Sequence, residues 1–333
     1  FVEHMLFKGT ERYSARDIAR MVDRVGGQHN AATNREYTCY YINVVSDYLD
    51  LAVEILADMY LNSVFDPAEL EKEKNVIVEE IRMYEDTPDE YIHDLFIEKM
   101  FIGHPLSHSI LGTEENITSA DRNSLVEFYR DHYRGENTIL VISGRFDPEK
   151  VRDTIGRHFA SLSADPCPAP LPAGSPSRID SWHADRDLEQ VHFCLGTEGI
   201  RRNEEDRWAL YTLSTILGGS MSSRLFQNIR EKEGICYSIY SFHSSYNDCG
   251  IFGIYCAASP DNFTRAVELI MNECRSMVKN GFTDEELDDA RTFLKGNLAL
   301  SLESIEVRMG QLAKNEMTFG RSFTFDEIAA RIN

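Results

Sequence analysis

Residues Phe65–Asp86 read FDPAELEKEKNVIVEEIRMYED, and the reading of this stretch decides the fold of the whole chain. Asp66 can accept from the free amides of a helix start, and Pro67 suits the first helical position because its missing N–H would have no partner there. Neither glycine nor proline recurs before Pro88, so the spacing predicts a helix over about 66–84. The same opening returns as Phe282-Thr283-Asp284-Glu285-Glu286-Leu287. Upstream of each copy stands another matched pair, Ala52-Val53-Glu54-Ile55-Leu56 and Ala266-Val267-Glu268-Leu269-Ile270. Strand signals flank both in the same order, so the chain reads as two diverged copies of one α+β domain.

The length of 333 residues fits two domains of about 150 residues each. Half of the ten prolines fall in ADPCPAPLPAGSPSR, between Pro166 and Pro176. Such a stretch joins neither a helix interior nor a sheet, and reads as a linker. The expected layout is a first domain at 1–165, a linker at 166–185 and a second domain at 186–333. Each domain is expected to be a largely antiparallel sheet packed against helices. In the first, Ser14 caps a helix bearing Ile18, Met21 and Val22, which Gly26-Gly27 stops. A β-rich run, Tyr37–Val45, follows Asn30-Ala31. Helices are expected at about 47–61, 66–84, 88–101 and 119–132, then a strand Thr138–Gly144 and a helix opened by Asp147-Pro148. In the second, strands are expected at Val191–Gly196, Cys236–Phe242 and Ile251–Ala257. Its helices are expected at about 203–217, 221–233, 260–279 and 283–315.

Composition excludes several classes of function. The net charge of −21 repels phosphate backbones, so no nucleic-acid partner is expected. It also suggests an acidic cavity that favours basic peptides. No run of apolar residues is long enough for a membrane span, and a cytoplasmic location is expected. The seven cysteines include no C-x-x-C and read as small buried thiols in a reducing compartment. Gly218-Gly219-Ser220 lacks a P-loop lysine, and Ser220, Ser222 and Ser223 show no nucleophile-elbow pattern.

The repeat also shows where chemistry was kept. It pairs Glu73 with Ala290 and Glu80 with Asn297. A carboxylate pair absent from one copy is not needed by the fold, so it marks a task of the first domain. Glu73 and Glu80 stand almost two full turns apart and share a helix face, whereas Glu79 points about 100° away from Glu80. The plainer reading is a solvated acidic face in which Glu71, Glu73, Glu79 and Glu80 alternate with Lys72, Lys74 and Arg82. The chain opens Phe1-Val2-Glu3-His4-Met5-Leu6-Phe7-Lys8-Gly9-Thr10. A histidine directly ahead of Phe1 would complete H-x-x-E-H. That would set two imidazoles one turn apart around one zinc, with Glu3 over a bound water.

FVEHMLFKGT, with EKEKNVIVEEIRMYEDTPDE further on, resembles the pitrilysin, insulinase and mitochondrial processing peptidase family of inverzincin zinc peptidases, most of all its short bacterial members. The resemblance implies a zinc metalloendopeptidase with one Zn²⁺ per chain. His4 and Glu80 would be metal ligands, Glu3 the general base and Glu73 the supporting acidic residue. GGQHNAATNREYTCYYINV is similar to the family's substrate-binding edge strand, where Asn30 and Ala31 would offer main-chain groups to an extended peptide. LGGSMSSRLFQNIREKEGICYSIYS is similar to the second domain's most recognisable segment and places the substrate-binding residues at Arg230 and Tyr237. On spacing alone, Arg230 is a helix-end cation and Tyr237 a core aromatic. The resemblance further implies peptide substrates enclosed in the chamber of a homodimer. In the family, more residues precede Phe1, including the first zinc histidine, and more follow Asn333. The chain is therefore expected to be truncated at both ends. The alternative is a non-catalytic relative, a structural or peptide-binding subunit.

Overall fold

The computed structural model describes residues 1–168 and 181–333, so most of the expected linker lies outside the described residues. In chain order the labelled elements begin α1 (Val2–Leu6), α2 (Ala15–Asp23), β1 (Gln28–Thr33), β2 (Thr38–Asn43), α3 (Leu49–Asn62) and α4 (Pro67–Glu85). They continue with α5 (Pro88–Met100), α6 (Glu114–Ser119), α7 (Arg122–His132), α8 (Pro148–His158), β3 (Val191–Glu198), α9 (Arg207–Gly218), β4 (Cys236–Ser245) and β5 (Gly250–Ala258). Helices α10 (Phe263–Asn280), α11 (Asp284–Ser301), α12 (Ile305–Phe319) and α13 (Phe325–Ile332) complete the order. The fold is α+β, with antiparallel sheets packed against helices. The described residues form two compact units, 1–86 with 108–168 and 87–107 with 181–333.

In the first unit, β1 and β2 form an antiparallel hairpin that pairs Asn30 with Tyr41 and Ala31 with Tyr40. Helix α2 starts at a capping box: Ser14 Oγ accepts from the Asp17 amide, and Asp17 accepts from the Ser14 amide. Its Ile18 and Val22 pack on Ile55 and Met59 of α3. Helix α4 starts as its sequence predicts, with Asp66 Oδ1 accepting from the amides of Ala68 (2.8 Å) and Glu69 (3.1 Å). One face of α4 is buried through Leu70, Glu73, Ile77 and Ile81. Leu70 joins Val2, Met5, Leu6 and Phe65 in one apolar cluster, which clamps α1 against α4. Burying each such side chain contributes about 1.5–3 kcal/mol.

Three expectations differ here. The helix expected over 119–132 begins instead at Arg122, where Asp121 caps it through the amides of Asn123 and Ser124, and the short α6 ends at Ser119. Residues 28–33 form a strand of their own ahead of the Tyr37–Val45 run. Thr138–Gly144 makes no ladder among the described residues, and Ile139 and Leu140 are exposed. An apolar β-branched run becomes a strand only where a neighbouring strand takes its N–H and C=O groups.

In the second unit, β3, β5 and β4 form an antiparallel sheet in that order. One face carries Phe193, Ile239, Ile254 and Cys256 into a core with Ile216, Ile229, Ala266 and Ile270. The other face receives α5: His93 Nε2 bonds Tyr240 OH at 2.8 Å, and its ring meets the edge of Phe242 at 4.7 Å. Phe96 fills the space over Gly196, where any Cβ would sit 2.3 Å from its ring. Helix α11 has a Thr283–Glu286 capping box, with Arg224 gripping both oxygens of Glu286 at 2.6 and 2.8 Å. The helix expected over 283–315 breaks at residues 302–304, where the Ser304 side chain caps the start of α12 instead.

Candidate metal centre

Helix α1 spends Val2, Met5 and Leu6 on the core, which leaves Glu3 and His4 on its other side. The clamp through Leu70 then lays His4 along the Glu73–Glu80 face of α4. His4 Nδ1 lies 3.0 Å from Glu73 Oε2, and His4 Nε2 lies 3.7 Å from Glu80 Oε2. Two donors each about 2.0–2.2 Å from one tetrahedral zinc would stand roughly 3.3–3.6 Å apart, so the Nε2–Oε2 pair stands slightly wider than a shared ion would draw it.

The two glutamates differ in kind. Glu73 is 6% exposed at its side chain and Glu80 40%, so the first is a buried prop and the second faces open space. Burial pushes the Glu73 carboxyl up, but hydrogen bonds from Lys8 and His4 outweigh it and hold the pKa below the usual value. An ionised Glu73 only accepts. It therefore takes the Nδ1 proton of His4 and leaves the Nε2 lone pair directed at Glu80, the usual arrangement behind a metal-binding imidazole. Lys8 Nζ holds the other oxygen of Glu73 at 2.6 Å.

Glu3 accepts a hydrogen bond from Thr33 Oγ1, so it is tied to the end of β1. β1 has β2 along one edge and no strand along the other among the described residues. The Ala31 amide is taken by the Asn30 side chain at 2.9 Å. Lys8 and Thr33 are site neighbours that sequence reasoning missed. Lys8 stood inside the quoted opening, and its charge beside a Glu-His pair was the available signal. Thr33 carried no signal without the hairpin.

In the second unit, Gly234 (φ 65°) follows the π-helical turn Phe226–Lys232 and leads into β4. The register shifts between Cys236 and Ser238, so Tyr237 sits at a bulge and points outward, 76% exposed. That rules out the core-aromatic reading of Tyr237. The Arg230 guanidinium lies 5.1 Å from the Tyr237 ring centre and 4.6 Å from that of Phe226.

The donor atoms of His104, Asp248 and Cys249 also gather within 4.8 Å of one another. His104 Nδ1, however, accepts from the Leu106 amide at 3.1 Å, so in the neutral ring Nε2 carries the proton that faces Asp248 at 3.3 Å. Both ring nitrogens are used, and a metal there would require the imidazolate.

Residues 1–114 match the family described as insulinase (peptidase family M16), and residues 119–294 match the peptidase M16 inactive domain. The chain is 40% identical over 340 residues to the uncharacterized zinc protease YmxG of Bacillus subtilis (strain 168), spanning 100% of this chain and 81% of that protein. It is 37% identical to the uncharacterized zinc protease SCO5738 of Streptomyces coelicolor, spanning 100% of this chain and 74% of the relative. A protease from Helicobacter pylori shares the fold, with a TM-score of 0.87 at 22% identity over 100% of this chain and 84% of the other. The chain belongs to peptidase family M16. Its second half matches the domain described as inactive, and there Ala290 stands where the first copy has Glu73.

Proposed function

We propose that this protein is a zinc metalloendopeptidase whose centre is built from α1 and α4 of the first unit. The observation that carries the reading is the pairing of His4 Nε2 with Glu80 Oε2 at 3.7 Å while Nδ1 is engaged by Glu73. A surface ion pair has no need of a buried carboxylate behind the imidazole, whereas a ligand histidine almost always donates its other N–H to a carboxylate, a backbone carbonyl or water. His4 and Glu80 would hold the ion, one per chain, and the family's H-x-x-E-H pattern would put a third donor one turn before His4, ahead of Phe1. When bound, zinc would lower the pKa of a coordinated water and polarise the scissile carbonyl.

Glu3 would take the proton of the attacking water and hand it to the leaving amine. Thr33 holds one oxygen of its carboxylate, which leaves the other for that transfer. The free edge of β1, at Asn30 and Ala31, would bind the peptide as an added strand once the Ala31 amide is released by Asn30. Exposed Tyr237 and the Arg230 guanidinium stacked on it would steady the bound chain. The working unit on this reading is a cytoplasmic homodimer enclosing unfolded, preferentially basic peptides, a preference supported by the net charge of −21. No helix among the described residues is long and apolar enough to cross a membrane.

The test is zinc content and peptidase activity of full-length wild type and Glu3→Gln. About one zinc in each, with turnover reduced by roughly 10²–10⁴ in the variant, supports the assignment. Absence of zinc in the wild type would leave the non-catalytic reading, and equal turnover would remove Glu3 as the base.

A further inference from the structure

The Glu73 carboxylate can set the His4 tautomer only if it is held in one orientation. The terminal torsion of a glutamate is broad and roughly two-fold, so burial alone leaves its oxygens free to swing. Lys8 removes that freedom. Its ammonium grips Oε1 at 2.6 Å while Oε2 faces His4 Nδ1 at 3.0 Å, so pinning one oxygen aims the other. Lys8 is itself carried on the turn that bears His4. The amides of Phe7 and Lys8 bond back to the carbonyls of His4 (3.2 Å) and Met5 (3.1 Å). The lysine side chain is 29% exposed, against 6% for Glu73, so the cation closes the solvent side of a carboxylate otherwise lined by protein.

We propose that Lys8 is a positioning residue of the metal centre: by clamping Glu73 it fixes His4 with its proton on Nδ1 and its Nε2 lone pair towards Glu80. This rests on the reading of His4 as a zinc donor, but its first consequence is visible without metal. On this reading Lys8 acts through Glu73, the carboxylate it holds, and not as a ligand itself.

The experiment compares full-length wild type, Lys8→Met, Lys8→Gln and Lys8→Arg. In the metal-free proteins at mildly alkaline pH, ¹⁵N–¹H correlation of labelled imidazoles reads the His4 tautomer. Zinc dissociation constants are then measured against a chromophoric chelator. Wild type and Lys8→Arg are expected to show a single tautomer with bare Nε2. Lys8→Met and Lys8→Gln are expected to show mixed tautomers and zinc binding weaker by about tenfold or more, the usual cost of losing a group behind a ligand. A wild-type tautomer and affinity in Lys8→Met would overturn the proposal, as would an arginine variant as impaired as the methionine one. If Lys8→Met does not fold, the Lys8→Gln and Lys8→Arg pair decides in the same way. A wild type that shows the Nδ1–H tautomer but takes up no zinc would sink the peptidase reading and leave the Lys8 clamp standing. Zinc uptake indifferent to Lys8 would do the reverse.

Discussion

Replacing Glu73 with glutamine is the perturbation whose consequences can be worked furthest. The carboxylate accepts from two donors at once, Lys8 Nζ at 2.6 Å and His4 Nδ1 at 3.0 Å. An amide has one oxygen and one NH₂ group, so the substituted side chain can accept from one donor and must present N–H groups to the other. A charge-assisted hydrogen bond contributes about 1.5–3 kcal/mol, and Lys8 can recover part of its loss by turning to water. About 2 kcal/mol is therefore expected to disappear from the metal-free protein. For a unit of this size that is a fall in Tm of about 4–8 °C. If the NH₂ faces His4, Nδ1 must become the acceptor, and Nε2 then turns an N–H towards Glu80. Zinc affinity should drop by about 10–100-fold. The assays are calorimetric melting without metal and competition with a chelator. Glu80→Gln is the control: at 40% exposure its side chain should leave the metal-free melting almost unchanged while zinc binding is lost. Unchanged melting and unchanged zinc affinity in Glu73→Gln would refute the idea that this buried carboxylate supports the imidazole.

Two further outcomes follow from the second unit. Arg224 holds Glu286 down to about 2, chiefly through its hydrogen bonds. A depressed carboxyl stabilises the fold above its unfolded pKa and ceases to do so as pH falls through the folded one. The stability gap between wild type and Arg224→Met, about 1–2 kcal/mol at neutral pH after allowance for solvent screening, should close between about pH 4.5 and 2. A gap constant with pH, read by denaturant titration, would mean that Arg224 acts through packing alone. Tyr237→Ala should lower kcat/KM for peptides by about tenfold, mainly through KM, with zinc content unchanged, because an exposed ring at a strand bulge contributes contact and not chemistry. Unaltered kinetics would remove Tyr237 from the binding surface.

How much of this was legible in one dimension varied by element. The start of α4 could be read from Asp66-Pro67, and the choice of Glu73 and Glu80 over Glu79 from helical spacing and from the repeat, since Ala290 and Asn297 stand opposite them. Residue identities alone could not separate a metal centre from a solvated acidic face. That distinction is one of burial, and Glu73 is buried where Glu80 on the same face is exposed. The outward turn of Tyr237 was equally hidden, because a one-residue shift of register in β4 reverses which way a side chain points.

Helix starts, glycine stops and the family likeness were written in the chain itself, because caps and helical periodicity act over a few neighbouring residues. Whether Thr138–Gly144 pairs as a strand, whether Lys8 meets Glu73, and whether Thr33 meets Glu3 were settled only in three dimensions. The hydrogen bond between His4 and Glu73 joins residues 69 positions apart, and it forms because Leu70 packs into the cluster of Val2, Met5 and Leu6. Local chemistry names the candidate donors; the apolar contact between two distant helices brings them to one point.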